Sequence, residues 1–129
     1  MNYRDDIDIV VFRENTQGLY AGVEFSPVPE NVFKALLTHP KMKKFEKIPL
    51  DELAISTRIF TKDGCRSIVN QGFEYANKFN RKTVTIVEKP NVIRETSGLM
   101  IREARKLIQN YEGKELWETN IDALSLIHI

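Results

Sequence analysis

Apolar positions along the chain change period several times, and each change marks an element. The first run, Ile7, Ile9, Val10, Val11 and Phe12, is broken only by Asp8. It is short and β-rich, which predicts a strand buried on both faces within a parallel sheet. ENTQG follows, with Asn15 and Gly18 suited to a turn. Residues 19–25 are rich in aromatic and β-branched side chains and read as a second extended piece, ended by Pro27 and Pro29. Val32, Phe33, Leu36 and Leu37 recur at helical spacing, so a short helix is expected before Pro40. Over 53–60 the pattern alternates. Leu53, Ile55, Thr57 and Ile59 oppose Ala54, Ser56, Arg58 and Phe60, as in a strand with one partly exposed side.

The second half is more regular. Cys65, Ile68, Val69, Gly72, Phe73, Ala76 and Phe79 trace one helical face, with Thr61 placed to cap it. Leu99, Ile101, Ala104, Leu107, Ile108 and Tyr111 trace another. Between them 83–87 reads as a strand launched from the turn Asn80-Arg81-Lys82, and 117–121 as a further strand after Gly113. Strand, helix, strand, helix in this order predicts an α/β layer with a parallel component.

Composition narrows the field without naming a chemistry. The chain has 129 residues, one ordinary domain's worth, with 42% hydrophobic and 29% charged side chains. Nineteen basic and eighteen acidic residues leave a net charge of +1, which argues against nucleic acid or an anionic membrane as partner. The lysines at 41, 43, 44 and 47 read as a solvated face. A single cysteine, Cys65, excludes an internal disulfide and suits a reducing compartment, with the cytoplasm expected. No signal peptide or membrane-spanning run is visible.

Candidate chemistry gathers where buried strands are expected to end, the edge at which open α/β sheets bind ligands. Arg13 and Glu14 follow the first strand, and Tyr20 lies seven residues after Arg13. Lys89, Pro90 and Asn91 follow TVTIVE, and Asp122 ends the last strand. Each has a plainer alternative: Arg13 a surface ion pair, Tyr20 a core tyrosine, Lys89 a solvated pair with Glu88, Asp122 a helix cap. His39 and His128 lack ligand-spaced partners, so no zinc site is expected. Cys65 is expected to pack on its apolar helix face.

Three stretches carry a resemblance. DIVVFRENTQGLYAGVEF (8–25) resembles the RENTEGxYxG segment of the isocitrate, isopropylmalate, homoisocitrate and tartrate dehydrogenases. TVTIVEKPNVIRETSGL (83–99) is similar to that family's strand, K-x-N and TxGL helix, and WETNIDAL (117–124) to its "DA" strand end. The resemblance implies a partial isopropylmalate-dehydrogenase-like α/β fold. Residues 1–17 and 61–123 would form the small dimerisation domain, 18–60 a clasp interlocking with a second copy, and 124–129 a foreign tail. It also implies oxidation and β-decarboxylation of a 2-hydroxy acid, isocitrate ahead of isopropylmalate, homoisocitrate or tartrate, with NAD or NADP and Mg²⁺ or Mn²⁺. A non-catalytic dimerisation module is the alternative.

The same resemblance assigns roles residue by residue. Arg13 would grip a substrate carboxylate bidentately, Tyr20 would protonate the enolate, and Lys89 would help remove the hydroxyl proton. Asn91 would lie by the nicotinamide ribose, and Asp122 would be one of three metal-ligating aspartates. Active sites would be shared across a homodimer, with Arg13 and Tyr20 from one subunit and Lys89 and Asp122 from the other. Helix–helix contact with the second copy would be eased by Gly72 and Ala76. Pro90 departs from the small residue usual there; it removes a backbone donor and stiffens the turn while leaving Lys89 and Asn91 in place.

The family's dinucleotide-binding regions and remaining metal aspartates have no counterpart within 1–129. The isolated chain is therefore expected to turn over no isocitrate. NAD(P)H formation by the pure 129-residue chain would contradict this expectation.

Overall fold

The computed structural model describes residues 6–89 and 93–120. These form two compact units, one drawn from Met1–Glu14 and Phe60–Ile129, the other spanning Asn15–Ile59.

The first unit is built on two helices and a pair of parallel strands. Helix α2 (Lys62–Lys78) follows the shorter α1 (Glu30–Leu37) of the second unit. It begins where Thr61 Oγ1 accepts the Gly64 N–H at 3.0 Å, the expected cap. It ends in a paired-bond stop: Arg81 N–H donates to Ala76 O at 2.7 Å and Asn80 N–H to Asn77 O at 3.3 Å. Asn80 sits at φ 52°, a left-handed position that asparagine tolerates better than most residues. Lys114 Nζ donates to Ala76 O and Arg81 O, satisfying carbonyls at this negative helix end.

Strand β3 (Thr83–Glu88) pairs in parallel with β4 (Glu115–Asn120), from Thr83↔Glu115 to Glu88↔Asn120. Helix α3 (Arg94–Leu107) makes the crossover, and Gly113, at φ 76°, turns the chain into β4. Val69 and Phe73 of α2, Ile86 of β3 and Ala104 of α3 form the core, with Val84 and Leu116 packed against it. These strand positions share one parity, so both helices cover the same face of the sheet. Phe73 is fully buried, a contribution of roughly 1.5–3 kcal/mol. Its ring stacks on Tyr111 at 5.0 Å. Among the described residues the opposite face carries no helix, and Trp117 there is 60% exposed.

The predicted strand at 7–12 is corrected. The segment is extended but has no strand ladder, and its apolar side chains are exposed, Val11 to 82%. A doubly buried strand needs helices on both faces, and the two helices of this unit occupy one. Asp8 pairs with Arg81 at 2.6 Å, Phe12 meets Tyr75 edge-on at 5.5 Å, and Glu14 acts on Cys65. The segment therefore follows α2 from its C-terminal end back toward its start, opposite in direction to the helix. A second correction concerns Ala76, which is buried within its own chain and so faces the unit's own interior, whereas Gly72 stays partly exposed, with Val84 Cγ1 3.7 Å from where a Cβ would stand.

The second unit has β1 (Glu24–Phe25) antiparallel to β2 (Ile55–Ser56), and α1 where the helical spacing placed it. Val28 and Phe33 are its buried hydrophobic residues. The alternation over 53–60 yields only the two residues of β2 and a bridge from Ile59 to Gly18. Between them, hydrogen bonds go to the Thr57 side chain, which accepts from Val23 N–H at 2.9 Å and donates to Val23 O at 3.0 Å. The extended piece expected at 19–25 is corrected likewise: Leu19–Ala21 is a 3₁₀ turn and only Glu24–Phe25 is strand.

Glu103 of α3 is 2% exposed yet charged, because Arg66 of α2 reaches it at 2.9 Å and Lys106 at 3.3 Å. The hydrogen bond from Arg66, then that from Lys106, holds its carboxyl below the ordinary value of 4.5 despite burial. A depressed folded pKa contributes stability that is full above the ordinary value and is lost as pH falls through the folded one. Glu103→Gln should therefore be less stable than wild type at neutral pH, with the gap in thermal midpoint closing on acidification. A gap unchanged from pH 7 to pH 3 would contradict the ion-pair account.

Candidate functional site

Lys89 leaves the carboxyl end of β3 and is exposed. Glu88, the last strand residue, is half-buried and accepts a hydrogen bond from Ser97 Oγ at 2.7 Å. Lys89 O accepts the Ile93 N–H at 3.1 Å, so the start of α3 is tied back to the strand end. Because β3 and β4 are parallel and Glu88 pairs with Asn120, the residues after both strands leave from one edge. A shallow concavity of about 220 Å³ lies at that edge, lined by Ile86, Glu88, Ile101, Glu118, Thr119 and Asn120. It is smaller than a typical ligand pocket, which begins near ~300 Å³. Its Glu118 is held by a bidentate pair with Arg105, at 2.7 and 2.8 Å.

Arg13 is exposed at the end of the 7–12 segment, and Glu14 beside it is partly covered. Cys65, buried on α2 as expected, has its thiol pushed up first by burial and then by the carboxylates of Glu88, Glu103 and Glu14. Glu88 at the end of β3 and Glu14 after the 7–12 segment thus both act on one thiol. Arg13 and Lys89 adjoin two of those carboxylates in the chain. A raised thiol pKa makes Cys65 a poor nucleophile, so it serves packing.

Tyr20 belongs to the second unit. It lies in the turn Leu19–Ala21 and is 63% exposed, so it is neither in a strand nor in the core. Both ends of the turn are pinned to residues 57–59. Gly18 N–H donates to Ile59 O at 2.9 Å from φ 72°, ψ −124°, a conformation only glycine adopts readily. At the other end a Cβ on Gly22 would stand 2.3 Å from Thr57 O, so the approach of the two backbones requires glycine there too. The phenol is thus displayed outward from a short, doubly anchored turn.

Asn91 and Asp122, the expected cofactor and metal residues, lie outside the described residues, as do Pro90 and the tail 124–129. Among the described residues no group of three or more His, Cys, Asp or Glu side chains could hold a metal ion. Lys41, Lys43 and Lys44 lie exposed on the 3₁₀ helix Pro40–Phe45 and Lys47 in the turn after it, and His39 accepts the Lys41 N–H as a cap. No helix among the described residues is long and apolar enough to cross a membrane.

Sequence reasoning missed three polar arrangements. Ser97, 1% exposed, bonds Glu88; Glu103 is held between Arg66 and Lys106. The Tyr111 hydroxyl lies 2.5 Å from Glu74 Oε1 and 2.6 Å from Asn70 Oδ1, and burial followed by the Glu74 bond pushes its pKa up to about 12. Ser97 carried a signal, since it continues the helical stripe of Ile101, Ala104 and Ile108. For Glu103 only Lys106, three residues on, was a local cue, because its other partner, Arg66, stands thirty-seven positions away.

Comparison with known proteins places this geometry. The family model described as isocitrate/isopropylmalate dehydrogenase matches residues 1–129. A probable NAD isocitrate dehydrogenase subunit alpha, mitochondrial, of Drosophila melanogaster is 30% identical over 122 residues, 95% of this chain and 26% of that protein. An NADP isocitrate dehydrogenase of Staphylococcus epidermidis is 32% identical over 114 residues, 88% of this chain and 27% of that protein. The crystal structure of isocitrate dehydrogenase from Methylococcus capsulatus superposes with a TM-score of 0.64 at 33% identity, covering 88% of this chain and 28% of that one. The chain thus spans about a quarter of the length of the curated relatives it matches.

Proposed function

The chain belongs to the isocitrate/isopropylmalate dehydrogenase family, and from that premise we propose that it forms the central part of a dehydrogenase that oxidises and decarboxylates isocitrate with NAD or NADP. The observation that carries this reading is the position of Lys89. It stands directly beyond the carboxyl end of β3, at the edge from which the chain also leaves β4 toward Asp122, two residues past Asn120. A ligand edge of an open parallel sheet is where a proton-accepting group is useful. Isocitrate is preferred over isopropylmalate because relatives of both cofactor types carry its name.

Arg13 binds a substrate carboxylate through two parallel N–H donors, which fixes the hydroxyl-bearing carbon in one orientation. Lys89 helps remove the proton of that hydroxyl, through a water or jointly with a carboxylate, as hydride leaves the carbon. Loss of the β-carboxylate then leaves an enolate, and Tyr20 delivers its phenolic proton to the carbon. The exposure of Arg13, Tyr20 and Lys89 supports this division of labour, since each has to meet a group outside its own unit. We assign the meeting to a homodimer, Lys89 of one protomer facing Arg13 and Tyr20 of the other, with the turn that carries Tyr20 inside the clasp at 18–60. Asp122, a hard oxygen donor, would contribute to holding Mg²⁺ or Mn²⁺, whose charge stabilises the enolate oxygen when it is bound. Asn91 would lie by the nicotinamide ribose.

In the complete dehydrogenase, Lys89→Met should lower kcat for isocitrate by about 10²–10⁴-fold, the usual worth of a positioned acid or base. A Lys89→Met enzyme within twofold of wild type would overturn the assignment.

A further inference from the structure

Two successive hydrogen-bonded rungs span the connection from β3 to α3. The inner one joins Lys89 O to Ile93 N–H at 3.1 Å. The outer one joins Glu88 Oε2 to Ser97 Oγ at 2.7 Å. Ser97 is 1% exposed and Glu88 partly covered, so hydroxyl and carboxylate meet away from bulk water, where a bond to a charged acceptor is worth more. Helix α3 has no side-chain cap at Ile93. The usual serine, threonine or aspartate device is missing, and the Ser97–Glu88 bond fastens the first turns of α3 to the strand instead. Each partner is itself fixed. Glu88 is paired with Asn120 in the sheet, and Ser97 N–H donates to Ile93 O at 3.0 Å.

The consequence reaches the next residue. Successive side chains of an extended backbone leave on opposite faces, so a carboxylate anchored toward α3 at position 88 turns position 89 away from it. Lys89 is exposed while Glu88 is not, as this requires.

We propose that Glu88 and Ser97 are a positioning pair for Lys89: their hydrogen bond fixes the peptide from which the lysine departs and so sets where its amine reaches. The proposal rests on the proton-accepting role given to Lys89 above. Neither residue touches substrate; they act through the backbone of position 89.

The test uses the complete dehydrogenase with Ser97→Ala and Glu88→Gln. The amide of glutamine keeps an oxygen that accepts the serine proton, whereas alanine at 97 removes the donor. Ser97→Ala should speed hydrogen exchange at the Ile93 amide by about tenfold, the scale of one bond to a charged group, and leave the Ile86 amide unchanged. It should lower kcat by about tenfold with KM for isocitrate within about twofold, because the lost alignment matters at the transition state. Glu88→Gln should return exchange and kcat toward wild type. Unchanged Ile93 exchange in an active Ser97→Ala enzyme overturns the pair itself. Faster exchange with unchanged kcat overturns its role in positioning, leaving a purely structural contact. A wild-type enzyme inactive on isocitrate and its analogues overturns the reading of Lys89, and this proposal with it.

Discussion

Parallel pairing of β3 with β4 is the constraint from which the rest of the first unit follows. Parallel neighbours cannot be joined by a tight turn, so the chain must return along the length of the strands, and α3 is that return. The crossover delivers the apolar stripe of α3 to the sheet face on which α2 already lies, so Phe73, Ile86 and Ala104 close one core. It also brings two carboxyl ends to one edge. A sheet that ran antiparallel here would put Glu88 and Asn120 at opposite ends of the strands, and that shared edge would be lost.

Elements whose stabilising contacts are local or periodic were legible in the amino-acid sequence. Thr61 caps α2, the stripe from Cys65 to Ala76 is its buried face, and β3 begins where the basic turn ends. The α/β class with a parallel pair followed from that order. Elements that need a distant partner were not. Residues 7–12 have the composition of a buried strand, but composition does not state whether a second helical layer covers them, and here the side chains stand in solvent. Over 53–60 the alternation is genuine, yet the Thr57 hydroxyl takes the Val23 N–H that a longer ladder would give to a backbone carbonyl, while Val23 O still accepts the Thr57 N–H.

The candidate site divides along the same line. Arg13, Tyr20 and Lys89 could be named because short motifs surround them, and the structure explains part of why those motifs are spelled as they are. Gly18 and Gly22 around Tyr20 are demanded by a left-handed backbone and by a close approach to Thr57. Buried polar groups were the blind spot. Glu103 looks like an ordinary helix-surface residue until Arg66 is seen opposite it, and the stripe that marks Ser97 as buried does not name Glu88 as its partner, because a pairwise contact across the chain has no period to betray it.

The central claim is that Lys89 of one protomer and Tyr20 of another complete a single site. Subunit complementation examines it most directly. Lys89→Met and Tyr20→Phe enzymes, each inactive alone, are mixed under conditions that exchange subunits, with two affinity tags verifying that hybrids form. Half the dimers are then mixed and one of the two sites in each is intact, so about a quarter of wild-type activity should return. Verified hybrids that remain as inactive as the parents would contradict the shared site.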